Sequence, residues 1–241
     1  MILNDECIYD GEDRRLIGRL VRDDSFEGAR PAVLIVPAFF GVAPFEIGQA
    51  EDLAAEGHVV LVADYYGEGH RAADQDEAMG LMKELDGARE VLLDRVARGL
   101  AVLQGQPDVD TARVAVVGYC FGGKAVLDLA RSGADFAAAV SIHGVYDPPP
   151  WDTQEILPAV LVLHGWSDAL GRPEAVTALA EELTEAKADW HLVAYGHAGH
   201  GFSMPPKEAR PPNADDRAAA RARRALLGFL QERLGDAAGR P

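Results

Sequence analysis

The chain has 241 residues, 48% of them hydrophobic and 26% charged, and 39 acidic against 23 basic side chains give a formal net charge of −16. This length and composition are typical of one globular domain with a sizeable core. A surface this negative repels phosphate groups, so we expect the protein to bind neither nucleic acid nor anionic membranes.

Short apolar runs alternate with longer helical segments along the chain. Strands are predicted at Pro31–Pro37, His58–Ala63, Arg113–Val117, Phe136–Ile142, Pro158–Leu163 and Asp189–Tyr195, the first of which is rich in β-branched residues. The last run is more amphipathic, which favours a position near the sheet edge. Helices are predicted at Phe45–Glu56, within 74–103, and at Gly123–Arg131, Pro173–Ala186 and about Ala214–Leu234. The segment Glu6–Arg22 is predicted to add an antiparallel N-terminal pair.

This alternation predicts βαβ units and a mostly parallel central sheet with helices on both faces. We interpret residues 1–241 as one domain, with 235–241 as a frayed tail. No basic segment followed by an apolar run opens the sequence, and no apolar run approaches the roughly 18 residues of a membrane span. We therefore expect neither a signal peptide nor a membrane helix.

The two cysteines, Cys7 and Cys120, lie far apart and suggest no disulfide framework. Cys120 stands in the run Gly118-Tyr119-Cys120-Phe121-Gly122-Gly123, between a predicted strand and a predicted helix. That order is typical of the nucleophile elbow of α/β-hydrolases, whose tight turn needs glycine on both sides. The nearby helix N-terminus favours a thiolate. The alternative, a buried core cysteine, explains the flanking glycines poorly. A free reactive thiol also suits a reducing cytoplasm.

A nucleophilic cysteine needs a base and a group that orients the base, which follow in α/β-hydrolases in the order nucleophile, acid, histidine. Asp168 follows the strand that ends at Leu163, and His200 lies in a glycine-rich loop after the last strand. We predict Asp168 as the acid and His200 as the base. The alternatives are a turn or helix-cap role for Asp168, and His197 as the base.

The same loops contain other histidines. His197 and His200 are three residues apart, but without further matched ligands they indicate a metal site only weakly, and we predict neither a metal nor a cofactor. His143 and His164 each follow a strand and are interpreted as core or supporting groups.

An oxyanion formed at the site needs two backbone donors. We predict the N–H of Phe121, directly after the nucleophile, and the N–H of Phe39, in the loop after the first buried strand. Aromatic side chains in these loops are candidates for an apolar substrate pocket: Phe40, Tyr119, Trp166 and Phe202.

The ordered set GYCFGG, HGWSD and GHAGHGF, with PAFFGV and VADYYG earlier in the chain, resembles the dienelactone hydrolase family, also called carboxymethylenebutenolidases. The resemblance extends over most of the chain. It implies the α/β-hydrolase fold, a triad of Cys120, Asp168 and His200, and an oxyanion hole formed by Phe39 and Phe121.

The chain departs from the family where the substrate would bind. Family members that hydrolyse dienelactone have a glutamate where Ala38 stands, and it engages the resting cysteine. An arginine that holds the substrate carboxylate is replaced here by Ser203-Met204, and Arg71 is only a loosely matched substitute. Dienelactone is therefore not the expected substrate. Without a glutamate at position 38, we expect the thiol and the base to form a standing thiolate–imidazolium pair.

These observations predict a hydrolase that cleaves a small ester, lactone or thioester through an acyl-cysteine intermediate, as a monomer or small homo-oligomer. A glutamine amidotransferase-like enzyme also has a Gly-x-Cys-x-Gly elbow, but the His-x-Glu motif typical of that class does not occur after Cys120. The other alternative is a catalytically degenerate hydrolase fold that serves as a binding or thiol-sensing module.

Overall fold

The computed structural model describes residues 1–205 and 213–235, so most of the predicted C-terminal tail lies outside the described residues. The strands are β1 (Ile2–Asp10), β2 (Arg15–Asp23), β3 (Arg30–Val36), β4 (Val59–Val62), β5 (Val109–Tyr119), β6 (Ala138–Ile142), β7 (Ala159–Gly165) and β8 (Trp190–Tyr195). The helices are α1 (Pro44–Ala55), α2 (Gln75–Asp86), α3 (Arg89–Gln104), α4 (Phe121–Arg131), α5 (Pro173–Glu185) and α6 (Ala214–Leu234).

The eight strands form one sheet in the order β1-β2-β4-β3-β5-β6-β7-β8. All neighbours from β4 through β8 pair in parallel, whereas β2 pairs antiparallel with both β1 and β4. The predicted mostly parallel sheet is confirmed, as are the antiparallel N-terminal pair and the edge position of the amphipathic last strand. The carboxyl ends of the parallel strands meet at one edge of the sheet, where ligands gather in open α/β folds.

Helices cover both faces of the sheet, as predicted. Every residue of β3, β4, β6 and β7 is buried, because α2 to α5 pack on one face and α1 and α6 on the other. Strands covered on both faces lose the alternation of polar and apolar residues, which is why their sequences read as continuous apolar runs.

The helices predicted within 74–103 are present, and one other predicted helix boundary differs from the structure for a local reason. The segment 74–103 forms two helices that break at Gly87 and Ala88, where Gly87 caps α2 and Ala88 leaves helical geometry. The helix after Cys120 begins at Phe121 rather than at Gly123, because Cys120 alone makes the turn out of β5. None of the described helices is both long enough and apolar enough to cross a membrane.

Candidate active site

Three loops that leave the carboxyl ends of β5, β7 and β8 converge at the same edge of the sheet. Cys120 directly follows β5, Asp168 lies three residues beyond β7, and His200 lies five residues beyond β8. These residues are far apart in sequence, and the parallel pairing of β5 through β8 brings their loops together.

The turn at Cys120 is strained and tightly packed. Cys120 has φ 54° and ψ −113°, a left-handed conformation that costs a non-glycine residue about 1–3 kcal/mol. Its N–H donates a 3.0 Å hydrogen bond to the carbonyl oxygen of Ile142 at the end of β6. A Cβ at Gly118 would lie 2.2 Å from the Gly122 carbonyl oxygen, and one at Gly122 would lie 2.1 Å from that of Val36. The turn can therefore form only with glycine at both positions.

Cys120, His200 and Asp168 form a continuous chain of contacts. The Nε2 atom of His200 lies 3.0 Å from Sγ of Cys120, and its Nδ1 atom lies 2.8 Å from Oδ2 of Asp168. The carboxylate of Asp168 is buried, and its Oδ1 accepts hydrogen bonds from the N–H groups of Leu170 (2.8 Å) and Gly171 (3.3 Å). The fixed carboxylate holds the imidazole with Nε2 directed at the sulfur.

Backbone hydrogen bonds tie the loop of Asp168 to the loop of His200. The Trp166 N–H donates to the Tyr195 carbonyl oxygen at 2.9 Å, and the Ser167 N–H donates to that of Ala198 at 2.8 Å. From α6, Asp215 accepts a 2.9 Å hydrogen bond from the Gly199 N–H. The loop of Asp168 and helix α6 therefore anchor the glycine-rich loop directly before the predicted base.

The hydrogen-bond partners of His200 favour its protonated form. Burial alone would lower the pKa of His200, but hydrogen bonds to Asp168 and Cys120 raise it to about 10. Burial opposes ionisation of Asp168, and its hydrogen bond and attraction to His200 nevertheless hold its pKa below the ordinary value. These shifts describe a protonated imidazole paired with an ionised Asp168 carboxylate.

The other histidines near the site occupy different positions. His197 is exposed and has φ 64°. His143 is fully buried, its ring centroid lies 5.5 Å from that of His200, and its Nε2 atom lies 2.7 Å from Oγ of Ser203. Burial lowers the pKa of His143 to about 3, so its ring is neutral and packs against the base without adding charge. His164 is buried, and its Nδ1 atom lies 3.0 Å from the Tyr146 hydroxyl.

One predicted oxyanion donor lies in the elbow and the other in the adjoining loop after β3. Phe39 is half-buried in the turn after β3, and Phe121 is buried as the first residue of α4. Among the residues that the structure describes, neither backbone N–H has a hydrogen-bond acceptor. Because Gly122 packs directly on the end of β3, the two donors belong to adjoining segments.

The predicted substrate-contacting side chains do not share one environment. The Phe40 ring is half-buried beside Phe39, with centroids 4.7 Å apart, whereas Trp166 is 51% exposed. Phe202 is buried, with its ring 5.3 Å from that of His143. Arg71 is exposed, and its backbone forms a bridge with Gly41 in the loop after β3.

Tyr119 lines a cavity of about 260 Å³ beside the elbow. Its walls are formed by the ends of β5 and β6, the loop after His200, α1 and α6, namely by Gln49, Tyr119, Ile142, Ser203, Ala219, Ala220, Ala222, Arg223 and Leu226. Most of this lining is apolar. Tyr119 directly precedes the predicted nucleophile Cys120, and Ser203 lies three residues after the predicted base His200.

A carboxyl group that sequence reasoning did not single out lies under the loop after β3. Glu46, in the first turn of α1, is 1% exposed, and its Oε1 accepts a 3.1 Å hydrogen bond from the Ala38 N–H. The available signal was an acidic residue in the first turn of a helix, which ordinarily indicates only an interaction with the helix dipole. Position 38 lacks a carboxylate of its own, but α1 supplies one to its backbone.

Within the described ranges, no group of three histidine, cysteine, aspartate or glutamate side chains is arranged to hold a metal ion. Both Cys7 and Cys120 are free thiols.

Comparisons with known proteins agree on the family of this fold and site. A model of the dienelactone hydrolase family matches residues 18–234. A solved structure named m3DLH is 32% identical, with a TM-score of 0.88 over 97% of this chain and 99% of its own. A dienelactone hydrolase-like promiscuous phosphotriesterase from metagenomic libraries is 31% identical, with the same TM-score and the same coverage. A Yersinia pestis protein with the provisional name carboxymethylenebutenolidase is 27% identical over 198 residues, 76% of this chain and 73% of its own.

Proposed function

Because this chain belongs to the dienelactone hydrolase family of α/β-hydrolases, we propose that it cleaves a small ester, lactone or thioester through an acyl-cysteine intermediate on Cys120. The observation that carries the proposal is the unbroken contact from Cys120 Sγ through the His200 ring to the Asp168 carboxylate, at 3.0 and 2.8 Å. A nucleophile, a base and an orienting acid in such contact are what acyl transfer to a thiol requires.

In the first half of the reaction, the Cys120 thiolate attacks the carbonyl carbon of the substrate. The carbonyl π electrons move to the oxygen, which is stabilised by the N–H groups of Phe39 and Phe121. The intermediate collapses when its bond to the leaving oxygen or sulfur breaks. His200 gives its Nε2 proton to that atom, so an ester or thioester releases an alcohol or thiol, whereas an opened lactone keeps its new hydroxyl on the acyl chain. An acyl thioester remains on Cys120 in each case.

In the second half, neutral His200 takes a proton from a water molecule as that water attacks the thioester carbonyl. The same two N–H groups stabilise the second oxyanion. The C–S bond then breaks, the carboxylic acid product leaves, and the thiolate and imidazolium are restored. Asp168 holds the correct ring orientation throughout and stabilises the imidazolium, without itself accepting a proton.

The cavity beside Tyr119 supports a small, partly apolar substrate. Its volume of about 260 Å³ and mostly apolar lining suit a short acyl or leaving group rather than a polymer. The proposal includes a reducing, cytoplasmic location, because the mechanism requires the free thiol of Cys120.

Turnover assays test this proposal with p-nitrophenyl acetate, a short acyl thioester, a lactone and a phosphotriester. The phosphotriester is included because the metagenomic relative is named as a phosphotriesterase. We expect Cys120→Ala to abolish turnover, and His200→Ala to lower kcat by about a thousandfold or more, since members of a triad act as a unit. Trapping of an acetyl group on Cys120, detected by mass spectrometry, identifies the intermediate.

Matched controls are available for both substitutions. Cys7→Ala removes the other free thiol, and His197→Ala removes an exposed histidine from the same loop as His200. Both variants are expected to retain wild-type turnover. Equal residual rates in the wild type, Cys120→Ala and His200→Ala would defeat the enzymatic proposal and favour the binding or thiol-sensing alternative.

A further inference from the structure

The peptide unit that joins Ala38 to Phe39 is held at its oxygen. The Ala38 carbonyl oxygen accepts a 2.6 Å hydrogen bond from the Tyr65 hydroxyl and a 2.9 Å hydrogen bond from the Gly41 N–H. A peptide unit is planar and trans, so its C=O and N–H bonds point in opposite directions. Fixing the Ala38 oxygen therefore fixes the direction of the Phe39 N–H.

The preceding peptide unit is held as well. The Ala38 N–H donates to Oε1 of Glu46 at 3.1 Å, and the Tyr65 hydroxyl lies 3.2 Å from the carbonyl oxygen of Pro37. Tyr65 and Glu46 are each only 1% exposed, so bulk water does not compete with their hydrogen bonds. Ala38 is thus fixed from both sides by buried side chains from separate parts of the chain.

Tyr65 also reaches the other oxyanion donor. Its ring packs edge-on against the ring of Phe121, with centroids 5.8 Å apart and an interplanar angle of 76°. The hydroxyl of one buried side chain therefore contacts the loop of Phe39, and its ring contacts the residue that contributes the second N–H. Burial keeps the pKa of Tyr65 well above its ordinary value, so the hydroxyl remains a donor across the neutral range.

We propose that Tyr65 and Glu46 are positioning residues that hold Ala38 so that the Phe39 N–H is directed at the oxyanion. The inference rests on the proposed function, because it concerns the oxyanion of that reaction. A donor stabilises an oxyanion strongly only within about 2.7–3.1 Å of it and in line. Loss of the Tyr65 contact leaves the Ala38 oxygen to the Gly41 N–H alone, so the peptide can rotate further. The rotation weakens the interaction in the transition state and leaves substrate binding nearly unchanged.

Tyr65→Phe is the sharpest test, because it removes one oxygen and no packing volume. We expect kcat for p-nitrophenyl acetate to fall roughly 10- to 100-fold, less than the full loss of a donor, with KM changed by no more than about twofold. Alkylation of Cys120 by iodoacetamide forms no oxyanion, so its rate should stay at the wild-type value. A substitution that merely distorted the elbow would lower both rates together.

Tyr66→Phe is the matched control. The Tyr66 hydroxyl donates a 2.8 Å hydrogen bond to the carbonyl oxygen of Phe39, which belongs to the following peptide unit and does not set the direction of the Phe39 N–H. The two variants lose the same group from adjacent residues in contact with the same loop. We expect kcat of Tyr66→Phe to fall by no more than about threefold. Circular dichroism and thermal unfolding of both variants verify that each is folded.

The role of Glu46 can be tested separately from that of Tyr65, because the charge of Glu46 changes with pH. Burial raises the pKa of Glu46 to about 7, and the backbone N–H groups of Ala38, Ala43 and Glu46 itself, with the charge of Arg71, limit the rise. Tyr65 and Tyr119 are the other titratable groups that face it, and burial keeps both protonated in this range. Above pH 7 the carboxylate is a strong acceptor for the Ala38 N–H, and below pH 7 the neutral acid is a weaker one.

Two substitutions at Glu46 use this difference. Glu46→Gln keeps an acceptor without the charge, so its kcat should be nearly constant between pH 6 and 8, while wild-type kcat should fall roughly fivefold as the pH is lowered over that range. Glu46→Met removes the acceptor as well and should have the lowest kcat of the three. The alkylation rate of Cys120 against pH, measured on the same proteins, reports the ionisation of the thiol separately.

The outcomes distinguish the two proposals. Wild-type turnover that depends on Cys120, together with unchanged kcat in Tyr65→Phe or an unaltered pH profile in Glu46→Gln, would overturn the positioning role alone. Equal losses in Tyr65→Phe and Tyr66→Phe, or parallel losses of kcat and alkylation rate in Tyr65→Phe, would also overturn it. Absence of any Cys120-dependent turnover in the wild type would overturn the proposed function, and the positioning role with it.

Discussion

At the scale of single residues, the proposed reactivity of Cys120 depends on its backbone conformation and its neighbours. Cys120 has a left-handed φ of 54° and forms the turn between β5 and α4. The Nε2 atom of His200 lies 3.0 Å from its sulfur. The pKa of His200 is raised to about 10 by Asp168 and Cys120, despite its burial. The contact and the raised His200 pKa support the thiolate–imidazolium pair, which stays a prediction.

Iodoacetamide alkylation measured against pH tests this thiolate–imidazolium pair. The pair places an imidazolium 3.0 Å from the sulfur, so it predicts rapid alkylation of Cys120 at pH 6–7, well below the free-cysteine pKa of roughly 8.5. In His200→Ala the stabilising cation is absent, and the midpoint of the alkylation profile should move up toward 8.5. A wild-type thiol that becomes reactive only near 8.5 would rule out the standing pair.

At the scale of elements, the strand–turn–helix unit of β5 and α4 depends on contacts to the end of β3. A Cβ at Gly122 would lie 2.1 Å from the Val36 oxygen and 2.4 Å from the Pro37 oxygen, both of which are backbone atoms that cannot rotate away. This close packing of Gly122 on β3 also places the elbow against the loop of Phe39. A substitution at Gly122 therefore affects both the stability of the fold and the geometry of the site.

Gly122→Ala should consequently destabilise the protein by about 3 kcal/mol, because either the strand or the helix must move. Gly80, in the exposed middle of α2, is the matched control, since a Cβ there meets nothing within 4 Å. Gly80→Ala should stabilise the protein by about 0.5–1 kcal/mol through its higher helix propensity. Urea unfolding measures both changes. Equal stability of the two variants would show that the close approach at Gly122 is relieved at little cost.

At the scale of the whole molecule, a buried ionic network joins the helices on one face of the sheet. Arg89 of α3 contacts both carboxylate oxygens of Asp128 of α4, at 2.8 and 2.5 Å, and also the carboxylate of Asp147. Arg131 extends the network from Asp128 to Glu182 of α5. Such a network fixes the helices relative to one another, although removing one member leaves the remaining buried charges with fewer partners.

Arg89→Ala should therefore lower the free energy of unfolding by roughly 3 kcal/mol, because Asp128 is 1% exposed and loses its bidentate partner. Arg98→Ala is the control in the same helix. Arg98 pairs with Asp94 on a partly exposed face, where solvent screens the interaction, so its removal should change stability little. Chemical unfolding at pH 7 compares the two variants. Similar losses in both would indicate that Arg89 contributes no more than an ordinary surface pair.

The sequence by itself determined the class of fold and the order of the proposed catalytic residues. Apolar runs alternating with helical segments indicate a covered parallel sheet, because those patterns depend on neighbours within one strand or helix. The glycines around Cys120 are likewise a local signature. Asp168 and His200 could be proposed because each follows a strand, and the carboxyl ends of parallel strands share one edge.

Only the tertiary structure decided which groups meet. It brings His200 rather than His197 against Cys120, across 80 positions of sequence, and it places Tyr65 and Glu46 on the backbone of Ala38. Neither contact could be read from a local pattern. Glu46 resembles an ordinary acidic residue at a helix start, and Tyr65 an ordinary core aromatic. Their roles depend on how β4 and α1 pack beside β3, and sheet order and helix packing arise from long-range burial rather than from any single segment.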